Sequence, residues 1–306
     1  MVLQTFNLSK RYGSQWALKD VCMNVEKGDI YGFVGENGSG KTTIIRLICG
    51  LISATDGNFT LFGADGKSKE ILTARKKIGA IVETPSIYLN MTAVENLKMQ
   101  LGVLGVTENK QEKIESVLSR VGLKDLINSK KIASNFSLGM RQRLGLAMAL
   151  LGEPEFIILD EPMNGLDPAG IVEIRELILK LNHENGITFL ISSHILSELS
   201  LVATKYGIIS KGKLVKEITA KDLEHECKPS VTIEIKQGVE LLYDLLKGSY
   251  DSVEMVANAV KVVGEISLNE LFDKISKAGY EIDKVNTSVS TIEDYYLSLM
   301  GGNGNA

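Results

Sequence analysis

Nine consecutive residues, Gly35-Glu36-Asn37-Gly38-Ser39-Gly40-Lys41-Thr42-Thr43, carry the most direct chemical signal in the chain. They meet G-x-x-x-x-G-K-[ST] at every required position, the spacing with which a loop wraps phosphate. The glycines let successive backbone N–H groups turn inward around phosphate oxygens, and the start of the following helix adds partial positive charge. Lys41 reaches terminal phosphates, and the Thr42 hydroxyl can ligate Mg²⁺. Gly35, Asn37, Gly38, Ser39, Gly40, Lys41, Thr42 and Thr43 are therefore the expected nucleotide-binding set, and a nucleoside triphosphate is the natural guest. A Gly-rich turn with no ligand is the plain alternative. The flanks weigh against it: residues 29–34 are a short apolar run of strand type, and residues 43–51 form an amphipathic helical pattern.

Three further places share this chemistry. Phe156-Ile157-Ile158-Leu159 is an apolar run of the fully buried parallel-strand kind, and it ends in Asp160-Glu161-Pro162. Acids at the carboxyl end of such a strand sit where open α/β sheets bind ligands. There Asp160 can hold Mg²⁺ through water and Glu161 can orient or polarise the attacking water of phosphoryl transfer. Residues 187–191 make another buried strand, leading to Ser192-Ser193-His194, which puts a histidine at the same edge. Ser137-Leu138-Gly139 opens a helix that runs to Leu151, with Ser137 as N-cap. A Ser and a Gly at a helix start make an anion site, although an ordinary capped helix has the same appearance.

The elements that position these groups follow in chain order. Residues 2–8 and 18–25 alternate as strands about a turn at Arg11-Tyr12-Gly13-Ser14, where Tyr12 offers a ring to a base or simply packs. Strands at 58–62 and 78–82 flank a helix at 71–77, and Glu83 closes the second strand. Residues 92–151 are rich in helix and begin with Thr92-Ala93-Val94-Glu95, a capping box. The expected division is a nucleotide-binding domain at 1–224, with a helical subdomain at about 84–151, then an α+β domain at 225–300 and a flexible tail at 301–306.

The chain has 306 residues, a net charge of −4 and three widely spaced cysteines, Cys22, Cys49 and Cys227. No basic run suits a general nucleic-acid binder, and neither a disulfide framework nor a zinc site is suggested. No stretch is long and apolar enough to span a bilayer, so a membrane role requires a second polypeptide.

Over about residues 2–220 these motifs, in this order, resemble the nucleotide-binding subunit of ATP-binding cassette (ABC) transporters. The elements that carry the resemblance are Gly35 to Thr43, Ser137 to Gln142, Ile157 to Glu161, Leu166-Asp167 and His194. The resemblance implies a P-loop α/β ATPase fold with a β-rich N-terminal part. It implies ATP and Mg²⁺, with Tyr12 stacking on adenine, Asp160 assisting the metal, Glu161 as general base and His194 at the γ-phosphate. Lys41 would act on the reacting phosphates and Asp167 would join the nucleotide site. It further implies a head-to-tail pair, in which Ser137 and Gly139 cap the ATP held by the partner's loop, and a separate permease at the cytoplasmic face of the membrane.

Two departures narrow the resemblance. Leu138 stands where the usual signature has a glycine, and Glu83 stands where a glutamine is usual. Ser-Leu-Gly-Met-Arg-Gln-Arg-Leu and Ile-Val-Glu-Thr-Pro are similar to the subgroup that exports bacitracin and lantibiotic-type peptide antibiotics. A carboxylate about 4 Å from a divalent ion adds on the order of several kcal/mol over a neutral oxygen at an effective dielectric near 20. Glu83 is thus expected to tighten metal capture. A soluble ABC ATPase of translation or DNA maintenance is the other reading. Against it, the chain has neither a second cassette nor a long coiled coil.

Beyond residue 223 the pattern reads strand 231–236, helix 239–247, two strands within 252–263, helix 268–278, strand 280–287 and helix 292–300. The first six make βαββαβ, a ferredoxin-like order. No cluster of His, Cys or paired acids suggests chemistry there, so the expectation is a dimerising or regulatory module.

Overall fold

The computed structural model describes residues 1–227, 229–250, 252–264, 266–288 and 292–301. The chain divides into two compact units, Met1–Ala220 and Lys221–Ala306.

The first unit begins with β1 (Leu3–Tyr12), β2 (Gln15–Val21), β3 (Asn24–Val25) and β4 (Ile30–Val34), followed by α1 (Lys41–Cys49). Next come β5 (Asp56–Leu61), β6 (Ala64–Asp65), α2 (Ile71–Arg75) and β7 (Ile78–Ile81). Three helices follow, α3 (Ala93–Val103), α4 (Lys110–Arg120) and α5 (Leu138–Leu150). The unit is completed by β8 (Phe156–Asp160), α6 (Pro168–Asn185), β9 (Thr188–Ser193), α7 (Leu196–Ser200), β10 (Lys205–Ser210) and β11 (Lys213–Thr219).

These strands form two sheets. One is antiparallel, in the order β2-β1-β5-β6 with β3 also on β1; the other runs β11-β10-β4-β9-β8-β7. In the second, β10, β4, β9, β8 and β7 are parallel and only the edge strand β11 is antiparallel. Every residue of β4, β8 and β9 is buried, which is why these strands read as unbroken apolar runs rather than alternating ones.

Helix α1 ties the sheets together. Ile44, Ile45, Leu47 and Ile48 share one apolar cluster with Leu3, Leu8 and Leu61 of the antiparallel sheet and with Tyr31, Phe33, Phe156 and Leu190 of the parallel one. Burying each of those four side chains contributes about 2 kcal/mol, so the helix that follows the phosphate loop is fixed along its length.

The structure corrects several local expectations. Tyr12 is not in the turn but is the last residue of β1, paired with Gln15, and the turn shortens to Gly13-Ser14. The strand expected at 18–25 is broken after Val21, because Asn24 and Val25 pair separately with Gln4 and Leu3. Asp56 and Gly57 belong to β5: Asp56 pairs with Ser9, and an irregularity in the ladder absorbs Gly57 at φ 75. The helix opened by Ser137 runs Leu138–Leu150 as expected, while β10 and β11, which extend the six-stranded sheet beyond His194, were not anticipated. The capping box is present as read: Thr92 Oγ1 accepts from Glu95 N at 3.2 Å, and Glu95 Oε2 accepts from Thr92 N at 2.8 Å.

The second unit contains most of α8 (Ala220–Glu226), which carries the boundary, then β12 (Ser230–Ile235), α9 (Val239–Leu246), β13 (Ser252–Val256) and β14 (Ala259–Val263). It ends with α10 (Leu268–Lys277), β15 (Ile282–Ser288) and α11 (Ile292–Gly301). Its sheet is antiparallel in the order β13-β14-β12-β15. Val231, Ile233 and Ile235 alternate onto the face that packs Leu242, Leu246, Leu271 and Ile275 of α9 and α10. Of the tail expected at 301–306, Gly301 ends α11, and 302–306 lie outside the described residues.

Candidate active site

The parallel register brings the chemical groups to one edge. Asp160 at the end of β8 pairs with Ser192 of β9, and Val34 of β4 pairs with Ser193. The loop after β4 and the acids after β8 therefore open on the same side of the sheet as His194.

The loop is shaped by two glycines that tolerate no side chain. A Cβ on Gly35 would lie 2.4 Å from the Ile209 carbonyl oxygen; one on Gly40, which sits at φ 115, would lie 2.7 Å from the Ala17 carbonyl oxygen. Gly40 is also the N-cap of α1, with no side-chain cap and no acid in the first turn. The first N–H groups of a helix lack intrahelical partners, so the positive end of α1 is left open to an anion. Asn37 and Gly38 are exposed on the loop, while Ser39 is buried and Thr42 and Thr43 are half-buried.

Lys41 is only 6% exposed and its ammonium lies inside the cradle, 2.6 Å from Gly35 O and 3.2 Å from Glu36 O. It also lies 3.3 Å from Glu161 Oε1, an ion pair in which that oxygen accepts no hydrogen bond. Glu161 Oε2 is 2.8 Å from His194 Nδ1. Lys41, Glu161 and His194 thus form a continuous line of polar contacts, and the structure brings the three proposed catalytic side chains together.

Asp160 is 2% exposed and is held from two sides. Thr42 Oγ1 donates to Oδ2 at 2.8 Å, and Ser192 Oγ donates to Oδ1 at 2.5 Å. The same Ser192 hydroxyl accepts the Glu161 N–H at 3.0 Å. Ser192 was assigned no role from the sequence, because its position depends on a strand pairing between residues 32 apart in the chain. Glu161 takes φ 51, a left-handed conformation that costs a non-glycine residue about 1–2 kcal/mol.

The other expected residues lie further out. Glu83 pairs with Arg46 of α1. Tyr12 is 49% exposed, with the Lys10 ammonium 5.1 Å from its ring centroid. Asp167 is the N-cap of α6, its Oδ1 accepting from Gly170 N at 3.3 Å. Ser137 caps α5 through Met140 N at 3.2 Å. Gly139 has room: a Cβ there would meet nothing closer than Leu166 Cδ2 at 3.9 Å.

The description "ABC transporter" matches residues 18–164. The chain is 41% identical over 310 residues to the bacitracin transport ATP-binding protein BcrA of Bacillus licheniformis, covering 98% of each. The chain belongs to the ABC transporter ATP-binding family. Its counterpart in Enterococcus faecalis is 38% identical over 306 residues, 99% of this chain and 97% of that one. The lantibiotic transport ATP-binding protein SrtF of Streptococcus pyogenes is 43% identical over 216 residues, 71% of this chain and 90% of that one. Among solved structures, cbiO1 of Clostridium perfringens, part of the cbiONQ ABC transporter complex, has a TM-score of 0.66 at 25% identity, covering 74% of this chain and 91% of that one.

The cassette is accordingly an ATPase subunit of a transporter, with ATP as substrate and Mg²⁺ as cofactor. The residues present fit both. Ser39 Oγ and Glu161 Oε1 are buried without hydrogen-bond partners among the described residues, donor and acceptor capacity of the kind a bound phosphate and its water would use. Thr42 and Asp160 offer hard oxygens, and Mg²⁺ characteristically takes one or two carboxylates together with substrate phosphates.

Proposed function

We propose that this cassette powers a separate membrane permease in the export of, or resistance to, peptide antibiotics of the bacitracin or lantibiotic type. The observation that carries the substrate class is full-length likeness: the similarity to the bacitracin transport proteins runs through both units, not the cassette alone. No helix among the described residues is long and apolar enough to cross a membrane. Members of this family pair with a second cassette and with permease chains, and the permease would hold this chain at the cytoplasmic face. The translation and DNA-maintenance reading gains no support from these likenesses.

In this reading the residues divide the work. Gly35 to Thr43 bind the triphosphate, and Tyr12 stacks on the base. Thr42, Asp160 and Glu83 would hold Mg²⁺, Asp160 through water, and the ion when bound would offset charge on the outer phosphates. Glu161 takes the proton of the attacking water, while His194 fixes the Glu161 carboxylate and meets the γ-phosphate side. Exposed Ser137 and half-buried Gly139 begin a helix with no acid in its first turn. That open positive end suits the ATP of a second, head-to-tail cassette, with Asp167 at the same junction. The second unit acts as an accessory module in assembly or regulation.

The test is complementation in the native host. Cells lacking the gene should become sensitive to bacitracin or a lantibiotic, and the wild-type chain should restore resistance while Glu161→Gln should not. Glu161→Gln should bind ATP normally yet turn over on the order of 10² or more slower. It should also sediment with membranes only when the neighbouring permease is present. Unchanged sensitivity to every peptide antibiotic tested, with normal membrane association, would remove the substrate assignment and leave the transporter ATPase.

A further inference from the structure

Glu83 occupies an unusual place. It follows β7 at φ 63, in a tight three-residue turn closed by a hydrogen bond from Thr84 N to Val82 O at 2.9 Å. Such left-handed conformations at non-glycine residues gather at switch points and ligand clamps. The parallel register pairs Ile81 with Leu159. The ladder ends there, and Glu83 lies two residues beyond it after β7 as Glu161 lies two residues beyond it after β8.

The Glu83 carboxylate nevertheless engages Arg46, through one charge-assisted hydrogen bond from the guanidinium to Oε1. Thr42 and Asp160 meanwhile engage each other. Arg46 lies four residues after Thr42 on α1. Side chains at that spacing share a helix face, about 6 Å apart along the axis. A carboxylate swung from the Arg46 guanidinium toward Thr42 therefore travels about one helical turn, within reach of a rotamer change at Glu83. Oε1 is the atom that meets Arg46, and that oxygen cannot serve the guanidinium and a cation beside Thr42 at once.

We propose that Arg46 is a latch on Glu83: it competes with the divalent cation for this carboxylate and sets how readily Glu83 joins the metal site. The proposal rests on the reading of Glu83 as a metal ligand. Arg46 itself touches neither substrate nor metal; it is a positioning residue that acts through Glu83. Its own 39% exposure and the 59% exposure of Glu83 keep the pair weak enough to open. The guanidinium sits on the phosphate-loop helix and the carboxylate on the turn after β7, so release of the latch also frees that turn to move relative to α1.

The experiment measures binding, not turnover. Mn²⁺ is titrated against the full chain with a non-hydrolysable ATP analogue, and free Mn²⁺ is read by electron paramagnetic resonance, for native protein, Arg46→Met, Glu83→Gln and the double variant. Arg46→Met should tighten Mn²⁺ about twofold to fivefold, the range open to an exposed ion pair, and the gain should vanish in the Glu83→Gln background. Arg46→Lys, a point charge without the guanidinium fork, should fall between and serves if the Met variant does not fold. If Arg46→Met changes nothing while Glu83→Gln weakens Mn²⁺, the latch is overturned and the metal-ligand reading stands. If the gain persists with Glu83→Gln, Arg46 acts only as a nearby charge and the latch is overturned. If neither variant changes Mn²⁺ binding, Glu83 is no ligand and both ideas fall.

Discussion

Replacing Ser192 with alanine tests whether the two acids work as one unit. The hydroxyl is fully buried; it donates to Asp160 Oδ1 at 2.5 Å and accepts the Glu161 N–H at 3.0 Å. The Glu161 N–H keeps a second acceptor in the Ser192 carbonyl at 3.2 Å, so the main loss falls on the Asp160 carboxylate. A hydrogen bond to a charged group contributes about 1.5–3 kcal/mol. If all of that were felt in the barrier, turnover would fall about 10- to 150-fold at 1.36 kcal/mol per decade. If all of it were felt in folding, the first unit would melt about 3–12 °C lower, at 2–4 °C per kcal/mol for its size. The expected outcome is a division: phosphate release at saturating MgATP falls about tenfold and the melting temperature drops several degrees. Ser193→Ala is the control, because its hydroxyl serves only the next turn, accepting from Ile195 N at 2.9 Å and donating to Ile195 O at 3.3 Å. Native turnover and melting in Ser192→Ala, or equal damage from Ser193→Ala, would refute the reasoning.

Gly35→Ala should abolish nucleotide binding measured with a fluorescent ATP analogue, since its Cβ would lie 2.4 Å from a backbone oxygen that cannot move without distorting β10. Thr92→Ala removes the capping box of α3 and should cost about 1 kcal/mol of stability in a denaturant titration, with ATP affinity unchanged. Burial of the Cys49 thiol, offset in part by Arg75, pushes its pKa up to about 11 from 9. A folded pKa above the unfolded one contributes stability that is complete below pH 9 and is lost as pH rises to about 11. Alkaline melting curves of Cys49→Ala should therefore fall less steeply between those values, and at pH 8.5 iodoacetamide should label exposed Cys22 well before Cys49.

What could be read from the sequence follows a physical divide. The phosphate loop, the Asp160-Glu161 pair and the Thr92 cap are local: the chemistry and the backbone geometry arise from residues a few positions apart, so composition and spacing reveal them. The buried parallel strands were legible because helices and a second sheet cover both faces, which demands unbroken apolar runs. Ser192 and Arg46 were not legible. A serine in a strand and an arginine in a helix are unremarkable until strand order places one against Asp160 and the other against Glu83. The break after Val21 was missed for the same reason, since the alternation continues across it and only the change of partner strand ends β2. Tyr12 was placed in a turn because Gly13-Ser14 is a strong turn signal, but the ladder to Gln15 extends the strand to its edge.

Glu83 and Glu161 share a feature that no motif specifies. Each follows a strand of the parallel sheet, on neighbours β7 and β8, and each takes a positive φ, 63 and 51. Glycine or asparagine would adopt these conformations at less cost, yet both positions carry a glutamate. Packing does not demand a carboxylate there, for Glu83 is more than half exposed and Glu161 keeps one oxygen without a hydrogen bond. The backbone strain is tolerated because strand pairing on one side and Ser192 or Arg46 on the other over-determine the local geometry. The left-handed turn thus turns each carboxylate toward a cation of α1, Glu161 toward Lys41 at its start and Glu83 toward Arg46 in its last turn. This supports assigning both acids to the nucleotide site. It also separates their roles, since Glu161 is held by buried Lys41 and by His194, and Glu83 by a single partner at the surface that can let go.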